Sequence, residues 1–173
     1  MIKIYVDGAS RGNPGPGGSG VIAYDSKNNT ILKSYSMTYE NTTNNQAELK
    51  ALICALQMAN KEWEGEYCVI YSDSAYCVNM CNSWIHNWAK NGWINSKKQQ
   101  VENYELVRLL YKYLSKSEPN FRIEKIPGHA GILGNELADA LASENEKKFN
   151  NLIKENNIKY SIKDLIISPF DFN

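Results

Sequence analysis

Ile2, Ile4 and Val6 alternate with Lys3, Tyr5 and Asp7, the period-two pattern of a half-buried strand. Val21 to Tyr24 and Ile31 to Tyr39 predict two more strands joined by a turn at Lys27-Asn28-Asn29. The stretch from Gly8 to Gly20 reads as a Gly/Pro-rich loop. Thr43-Asn44-Asn45-Gln46 has the spacing of a capping box and predicts a helix running to about Trp63. Tyr67 to Ser72 is a short apolar strand that stops at Asp73. Residues 74–98 read as broken helix and loop, rich in Trp. Gln100 to about Leu114 is a predicted helix with Val107, Leu110 and Leu114 on one stripe. Phe121 to Ile126 is a strand stopped by Pro127, and Asn135 to about Phe149 is a helix. The rest is a weakly patterned tail in which Ile158, Ile162, Leu165 and Ile166 have helical spacing. This order of elements predicts an α/β fold: a mixed sheet with an antiparallel hairpin portion and helices packed on it.

Four carboxylates stand out by position. Asp7 and Asp73 each end an apolar strand, and in α/β sheets ligands gather at the carboxyl ends of parallel strands. Glu48 shares its helix face with Leu52, Ala55 and Ala59, so it falls inside an apolar stripe. A buried carboxylate is costly unless it is paired or binds metal, and no basic residue lies at helical spacing from it. Asp139 borders the stripe of Leu137, Ala138, Leu141 and Ala142. Any one of these acids alone reads as a cap, an ion pair or a solvated edge. Together they call for a divalent cation with hard oxygen ligands, magnesium or manganese rather than zinc.

The Gly15–Gly20 run has dinucleotide-fingerprint spacing, but it leads into a strand and not a helix, so a glycine turn between strands explains it better. His129 stands between glycines in Ile126-Pro127-Gly128-His129-Ala130-Gly131. It is either an exposed loop histidine or a proton carrier titrating near neutrality. Trp84, Trp88 and Trp93 are interleaved with Lys90, Lys97 and Lys98, which suits either a small helical core or a surface for sugars, bases and phosphates. His86, among the tryptophans, reads as structural.

Composition narrows the options. With 19 basic and 19 acidic residues the net charge is zero, so any nucleic-acid contact must come from local clusters. No apolar run approaches a membrane span. Asp7 comes too early for a signal peptide, so a cytoplasmic address is expected. Cys54, Cys68, Cys77 and Cys81 lack zinc-like spacing and are expected as free thiols.

Five motif groups occur in a set order. The first three are Asp7-Gly8-Ala9-Ser10-Arg11-Gly12-Asn13-Pro14-Gly15-Pro16-Gly17-Gly18, then Thr42-Thr43-Asn44-Asn45-Gln46-Ala47-Glu48-Leu49, then Ser72-Asp73-Ser74-Ala75-Tyr76. Trp84-Ile85-His86-Asn87-Trp88 with Gly92-Trp93 follows, and last Gly128-His129-Ala130-Gly131 running into Asn135-Glu136-Leu137-Ala138-Asp139. In this order, over roughly residues 1–145, they resemble the bacterial-type ribonuclease H type 1 family. The resemblance implies a ribonuclease H-like fold: a five-stranded mixed sheet ordered 3-2-1-4-5 with helices on both faces. It implies a catalytic domain at 1–149 and a C-terminal tail at 150–173.

The same resemblance makes Asp7, Glu48, Asp73 and Asp139 the metal ligands for two magnesium ions about 4 Å apart, with manganese as the alternative. The implied activity is hydrolysis of the RNA strand of RNA–DNA hybrids, giving 5′-phosphate and 3′-hydroxyl ends, with His129 assisting water activation or product release. It also implies that Asn13, Asn44, Asn45 and Glu48 reach 2′-hydroxyls, which distinguish RNA from DNA. Thr43 and Asn103 match a pocket for a DNA-strand phosphate, and Trp84 and Trp88 match the groove beside the DNA. Lys90 and Asn135 complete the candidate substrate contacts. The expected protein is a monomer whose partner is the hybrid, with no membrane. Two departures remove positive charge: Asn41 stands where the phosphate pocket often has arginine, and the Trp88-Ala89-Lys90-Asn91 segment is less basic than the family's handle. Other readings are a different enzyme of the same superfamily, such as an integrase or exonuclease, and a binding module without chemistry.

Overall fold

A computed structural model describes residues 1–117 and 120–161 and the backbone of 165–167. The predicted hairpin portion is three long strands, β1 (Ile2–Ser10), β2 (Gly15–Asp25) and β3 (Thr30–Thr42), paired antiparallel in sequence order. The chain then enters α1 (Asn44–Glu62) and returns through β4 (Cys68–Ser72), which lies parallel to β1. A short helix α2 (Ala75–Asn79) continues through a π-helical turn at Met80–Trp84 into α3 (Ile85–Lys90). Helix α4 (Tyr104–Ser117) leads to β5 (Phe121–Lys125), parallel to β4. Two helices follow, α5 (Leu133–Ala142) and α6 (Glu146–Glu155), and then a short strand β6 (Leu165–Ile167). The sheet order is β5-β4-β1-β2-β3-β6. The first five strands therefore take the expected 3-2-1-4-5 order, and β6 extends the sheet in parallel beside β3.

Strand alternation sorts the side chains into two layers. Ile4, Val6, Val21 and Ala23 point to one face, where they pack with Leu49, Leu52 and Leu56 of α1 and Val107, Leu110 and Leu114 of α4. Ile22, Tyr24 and Ile31 point to the other, against Leu137 and Leu141 of α5 and Phe149 of α6. Leu49, Leu52 and Leu56 are fully buried, and each contributes on the order of 2 kcal/mol of transfer free energy. The capping box is present as predicted: the Thr43 hydroxyl accepts from the Gln46 N–H at 3.2 Å, and the Gln46 side chain accepts from the Thr43 N–H at 3.2 Å.

Four boundaries differ from the sequence reading. Most of the Gly8–Gly20 stretch is strand, and the turn shrinks to residues 11–14. Its glycines serve close packing: a Cβ at Gly18 would sit 2.5 Å from the Ala142 carbonyl oxygen, and one at Gly20 2.2 Å from that of Ala138. Only Gly lets α5 settle its backbone onto β2 there. Helix α4 starts at Tyr104 and not Gln100, because Asn103 takes a left-handed φ of 57° and Val101 donates its N–H to the Trp93 carbonyl. The predicted helix from 135 to 149 is two helices, broken where Glu144 adopts φ 56° and Asn145 caps α6. In the tail, Leu165 and Ile166 lie in a strand and not on a helical face, while Ile162 is outside the described residues. Among the described residues no helix is long and apolar enough to cross a membrane.

Candidate active site

The parallel pair β1 and β4 ends side by side. Asp7 lies near the end of β1, and Asp73 follows the last residue of β4. Helix α1 crosses this end with Glu48 in its second turn, because the Thr43 cap sets where the helix begins. The approach is close: a Cβ at Gly8 would sit 2.3 Å from the Glu48 backbone nitrogen. Ligand atoms of Asp7, Glu48 and Asp73 consequently lie within 4.8 Å of one another. Helix α5 comes from the opposite face with Asp139, which lies within hydrogen-bonding reach of Asp7. The four predicted acids are therefore brought together.

Their electrostatics are those of crowded, desolvated anions. Asp7 is 6% exposed and Glu48 7%. Burial is the main force raising the Asp7 carboxyl from 3.8 to about 7; its contact with Glu48 opposes the rise, and the charges of Asp73 and Asp139 add to it. Glu48 is held well above the ordinary range, first by burial and then by the Asp7 and Asp73 charges, with a Gly8 backbone hydrogen bond pulling the other way. Glu48 Oε2 is buried without a hydrogen-bond partner.

His129 sits exposed on the loop after β5, at φ 52°. The loop runs tight against Asp73, since a Cβ at Gly128 would lie 2.8 Å from its Oδ2. Ligand atoms of His129, Glu136 and Asp139 form a second close group within 4.8 Å of one another. Lys148 Nζ joins this group from α6, 2.6 Å from Asp139 Oδ2 and 2.7 Å from Glu136 Oε2. The sequence reading missed both Glu136 and Lys148 as members of the site. Glu136 and Asp139 were recognisable as i, i+3 neighbours on one helix face.

The candidate substrate contacts divide into two regions. Asn13 and Asn44 lie together where the β1–β2 turn meets the start of α1. Asn13 Oδ1 accepts from the Asn44 N–H at 2.9 Å, and Asn44 Oδ1 accepts from the Ser10 N–H at 2.9 Å. Both therefore also brace the turn, with Asn45 exposed beside them. Thr43 and Asn103 are linked through Gln46, whose amide donates to Asn103 Oδ1 at 3.2 Å. Asn41, at the end of β3, is exposed nearby in sequence. Trp84 is 39% exposed and forms an aromatic row with Tyr76 and Trp88, with ring centroids 6.0 Å apart at each step. Lys90 is exposed at the end of α3. Trp93 instead packs against Tyr104 and Tyr111, and His86 against Tyr111, so both serve a local aromatic core. Asn135 is 2% exposed with an unpartnered amide nitrogen, which puts it beneath the surface and not on it.

A family model for RNase H matches residues 1–147. The chain belongs to the RNase H family. It is 44% identical over 144 residues to a Ribonuclease H of Syntrophomonas wolfei, covering 82% of this chain and 92% of that protein. It is 41% identical over 155 residues to a Ribonuclease H of Orientia tsutsugamushi, covering 90% and 88%. Its fold matches that of LC11-RNase H1 solved in complex with an RNA/DNA hybrid, with a TM-score of 0.63, 28% identity, and coverage of 83% of this chain and 95% of that one. The family match sets aside the integrase and exonuclease readings. RNase H enzymes depend on divalent metal, and this member carries an acidic cluster that could bind it.

Proposed function

We propose that the protein is an endonuclease that hydrolyses the RNA strand of RNA–DNA hybrids with magnesium held by Asp7, Glu48, Asp73 and Asp139. The observation carrying this reading is the meeting of four acids from β1, α1, β4 and α5 at one sheet end, one of them with an orphaned buried oxygen. The donor set fits the metal: it is all carboxylate at its centre, which suits magnesium or manganese. Filling Glu48 Oε2 would satisfy the buried atom that no residue satisfies. Bound divalent ions would supply Lewis acidity at the scissile phosphate and lower the pKa of the attacking water.

The chain's own residues do the rest. The tetrad fixes where the phosphate can sit. His129, exposed within reach of Asp139, can move protons between that site and solvent. Asn13, Asn44 and Asn45 present polar groups at the lip where a 2′-hydroxyl would identify the RNA strand. Trp84 and Trp88 offer an aromatic row, and Thr43 with Asn103 a polar pocket, on the side where the DNA strand would lie. In-line attack on phosphorus then leaves a 5′-phosphate and a 3′-hydroxyl. The intact cluster favours this over a binding module without chemistry. A reducing compartment such as the cytoplasm fits a chain with four free buried cysteines.

The test uses labelled RNA–DNA hybrid, RNA duplex and DNA duplex, each with magnesium or with chelator. Cleavage of the hybrid's RNA strand alone, and with magnesium alone, is the expected pattern. Equal cutting of the DNA duplex would overturn the assignment.

A further inference from the structure

The cationic side chain at the edge of the acidic cluster comes from outside the family match. Lys148 lies one residue beyond the matched span, yet its Nζ bridges Asp139 and Glu136 at 2.6 and 2.7 Å. An ammonium is a compact point charge with three donors, suited to spanning two carboxylates.

The placement is built into the chain. Asn145 caps α6, its side chain accepting the N–H of Lys148 itself at 3.0 Å. The next residue, Phe149, is buried, with its ring edge-on to Tyr160 at 5.4 Å between centroids. Past the far end of α6, the Asn29 amide donates to the carbonyls of Asn156 and Asn157, and the Ile31 N–H to that of Lys159. Helix α6 is thus fixed at both ends, and Lys148 is delivered to one place.

That place is contested. His129, Glu136 and Asp139 offer ligand atoms within 4.8 Å of one another, the kind of group a divalent ion would take. An ion entering there meets an ammonium already paired with two of its three ligands. The lysine has somewhere to go: a groove of about 360 Å³ lies alongside, lined by Asn145, Lys147, Lys148, Asn151, Leu152 and Glu155.

We propose that Lys148 is a tethered cation that holds Glu136 and Asp139 and competes with divalent metal for Asp139, so that α6 sets the metal response of the active site. This rests on the metal-site reading given above. Without metal, Lys148 neutralises part of the cluster and keeps α5 and α6 together. With metal, it is displaced from Asp139 into the groove. The ion bound among Asp7, Glu48 and Asp73 is held away from this competition, so only the ion on the Asp139 side is weakened.

The experiment is a manganese titration of the nucleic-acid-free protein, counting free ion by its electron paramagnetic resonance signal, for wild type, Lys148→Gln and Lys148→Arg. The Gln variant should bind the weaker ion roughly three- to tenfold more tightly, as expected for losing one competing charge at a partly exposed site, with the stronger ion unchanged. The Arg variant, which keeps the charge, should retain weak binding of the second ion. Lys148 is 29% exposed, so either side chain can be accommodated, and far-ultraviolet circular dichroism verifies the fold. Identical manganese affinity in wild type and Lys148→Gln would overturn the competition while leaving the metal site intact. Equal tightening in the Gln and Arg variants would also overturn it, because charge would not be the cause. Absence of manganese binding in all three proteins would overturn both the competition and the metal-site reading.

Discussion

Asp7→Asn isolates the electrostatic cost of the carboxylate cluster. In the folded protein the Asp7 carboxyl is raised from 3.8 to about 7, principally by burial and further by the charges of Asp73 and Asp139, against an opposing contact with Glu48. A carboxyl with a higher pKa folded than unfolded binds its proton more tightly in the fold. Its contribution is therefore favourable below the unfolded pKa and is lost as pH rises to about 7. A difference of about 3 in pKa corresponds to roughly 4 kcal/mol at most. Asparagine keeps a buried polar group and gives up the contact with Glu48, so the net gain should be smaller, about 1–3 kcal/mol. For a domain of this size that is about 3–10 °C in melting temperature. The assay is thermal unfolding of wild type and Asp7→Asn in chelator between pH 4 and pH 8. The mutant should gain on wild type progressively as pH rises and level off above pH 7. In magnesium the mutant's advantage should shrink, because the wild type gains about 2.7 kcal/mol at one hundred times the dissociation constant and the mutant gains less. A mutant that melts below wild type in chelator at pH 8, or a difference independent of pH, would refute the reasoning and make Asp7 a structural partner.

Gly20→Ala should destabilise by about 1–3 kcal/mol in denaturant unfolding, since its Cβ would lie 2.2 Å from the Ala138 carbonyl oxygen and 2.8 Å from the Leu141 Cβ; a neutral result would mean that α5 is free to shift off β2. Trp84→Ala should raise the Michaelis constant for the hybrid with little change in melting temperature, because this ring is 39% exposed; a loss of turnover alone would remove it from the binding surface. Restoring charge with Asn41→Arg and Ala89→Lys should tighten hybrid binding and steepen its salt dependence by about one counterion per added phosphate contact; an unchanged slope would show that these positions do not touch phosphate. A chain ending at Asn150 should still cleave a short hybrid but melt several degrees lower, since it loses buried Ile158 and the Tyr160 contact with Phe149; unchanged melting would show that the tail is not docked.

The presence of the first five strands, the capping box and the four acids was legible because each has a local signal: alternation, a side chain at a fixed offset, a charge inside an apolar stripe. Glu48 is the best case, since its helix face alone predicted burial next to a cation site, and it is buried beside Asp7 and Asp73. The glycine-rich stretch was misleading because composition signals a loop, whereas two of its glycines, Gly18 and Gly20, meet a demand made by α5, more than a hundred residues later in the chain. The break between α5 and α6 rests on one left-handed residue, Glu144, a conformation that its side chain does not advertise. Strand β6 exists through pairing with β3, a partner that no periodicity within the tail can reveal. Lys148 was invisible for the same reason: only the turn at residues 143–145 redirects it onto Asp139. Asn13 and Asn44 were expected to face the substrate, and their mutual hydrogen bond shows that they also hold the turn in place.

Metal-dependent hydrolysis by the four-acid cluster is tested most directly by the initial rate of RNA-strand cleavage in a hybrid as magnesium is raised from zero, for wild type and for Asp73→Asn. Asp73 lies after β4, against the His129 loop, within 4.8 Å of the ligand atoms of Asp7 and Glu48. The expected pattern is no cleavage without metal, a saturable rise for wild type, and a rate at least a hundredfold lower for a folded Asp73→Asn at every magnesium concentration, on the scale of losing one charge-stabilising group in an active site. Wild-type activity in chelator, or an Asp73→Asn enzyme that keeps the wild-type rate and magnesium dependence, would contradict it.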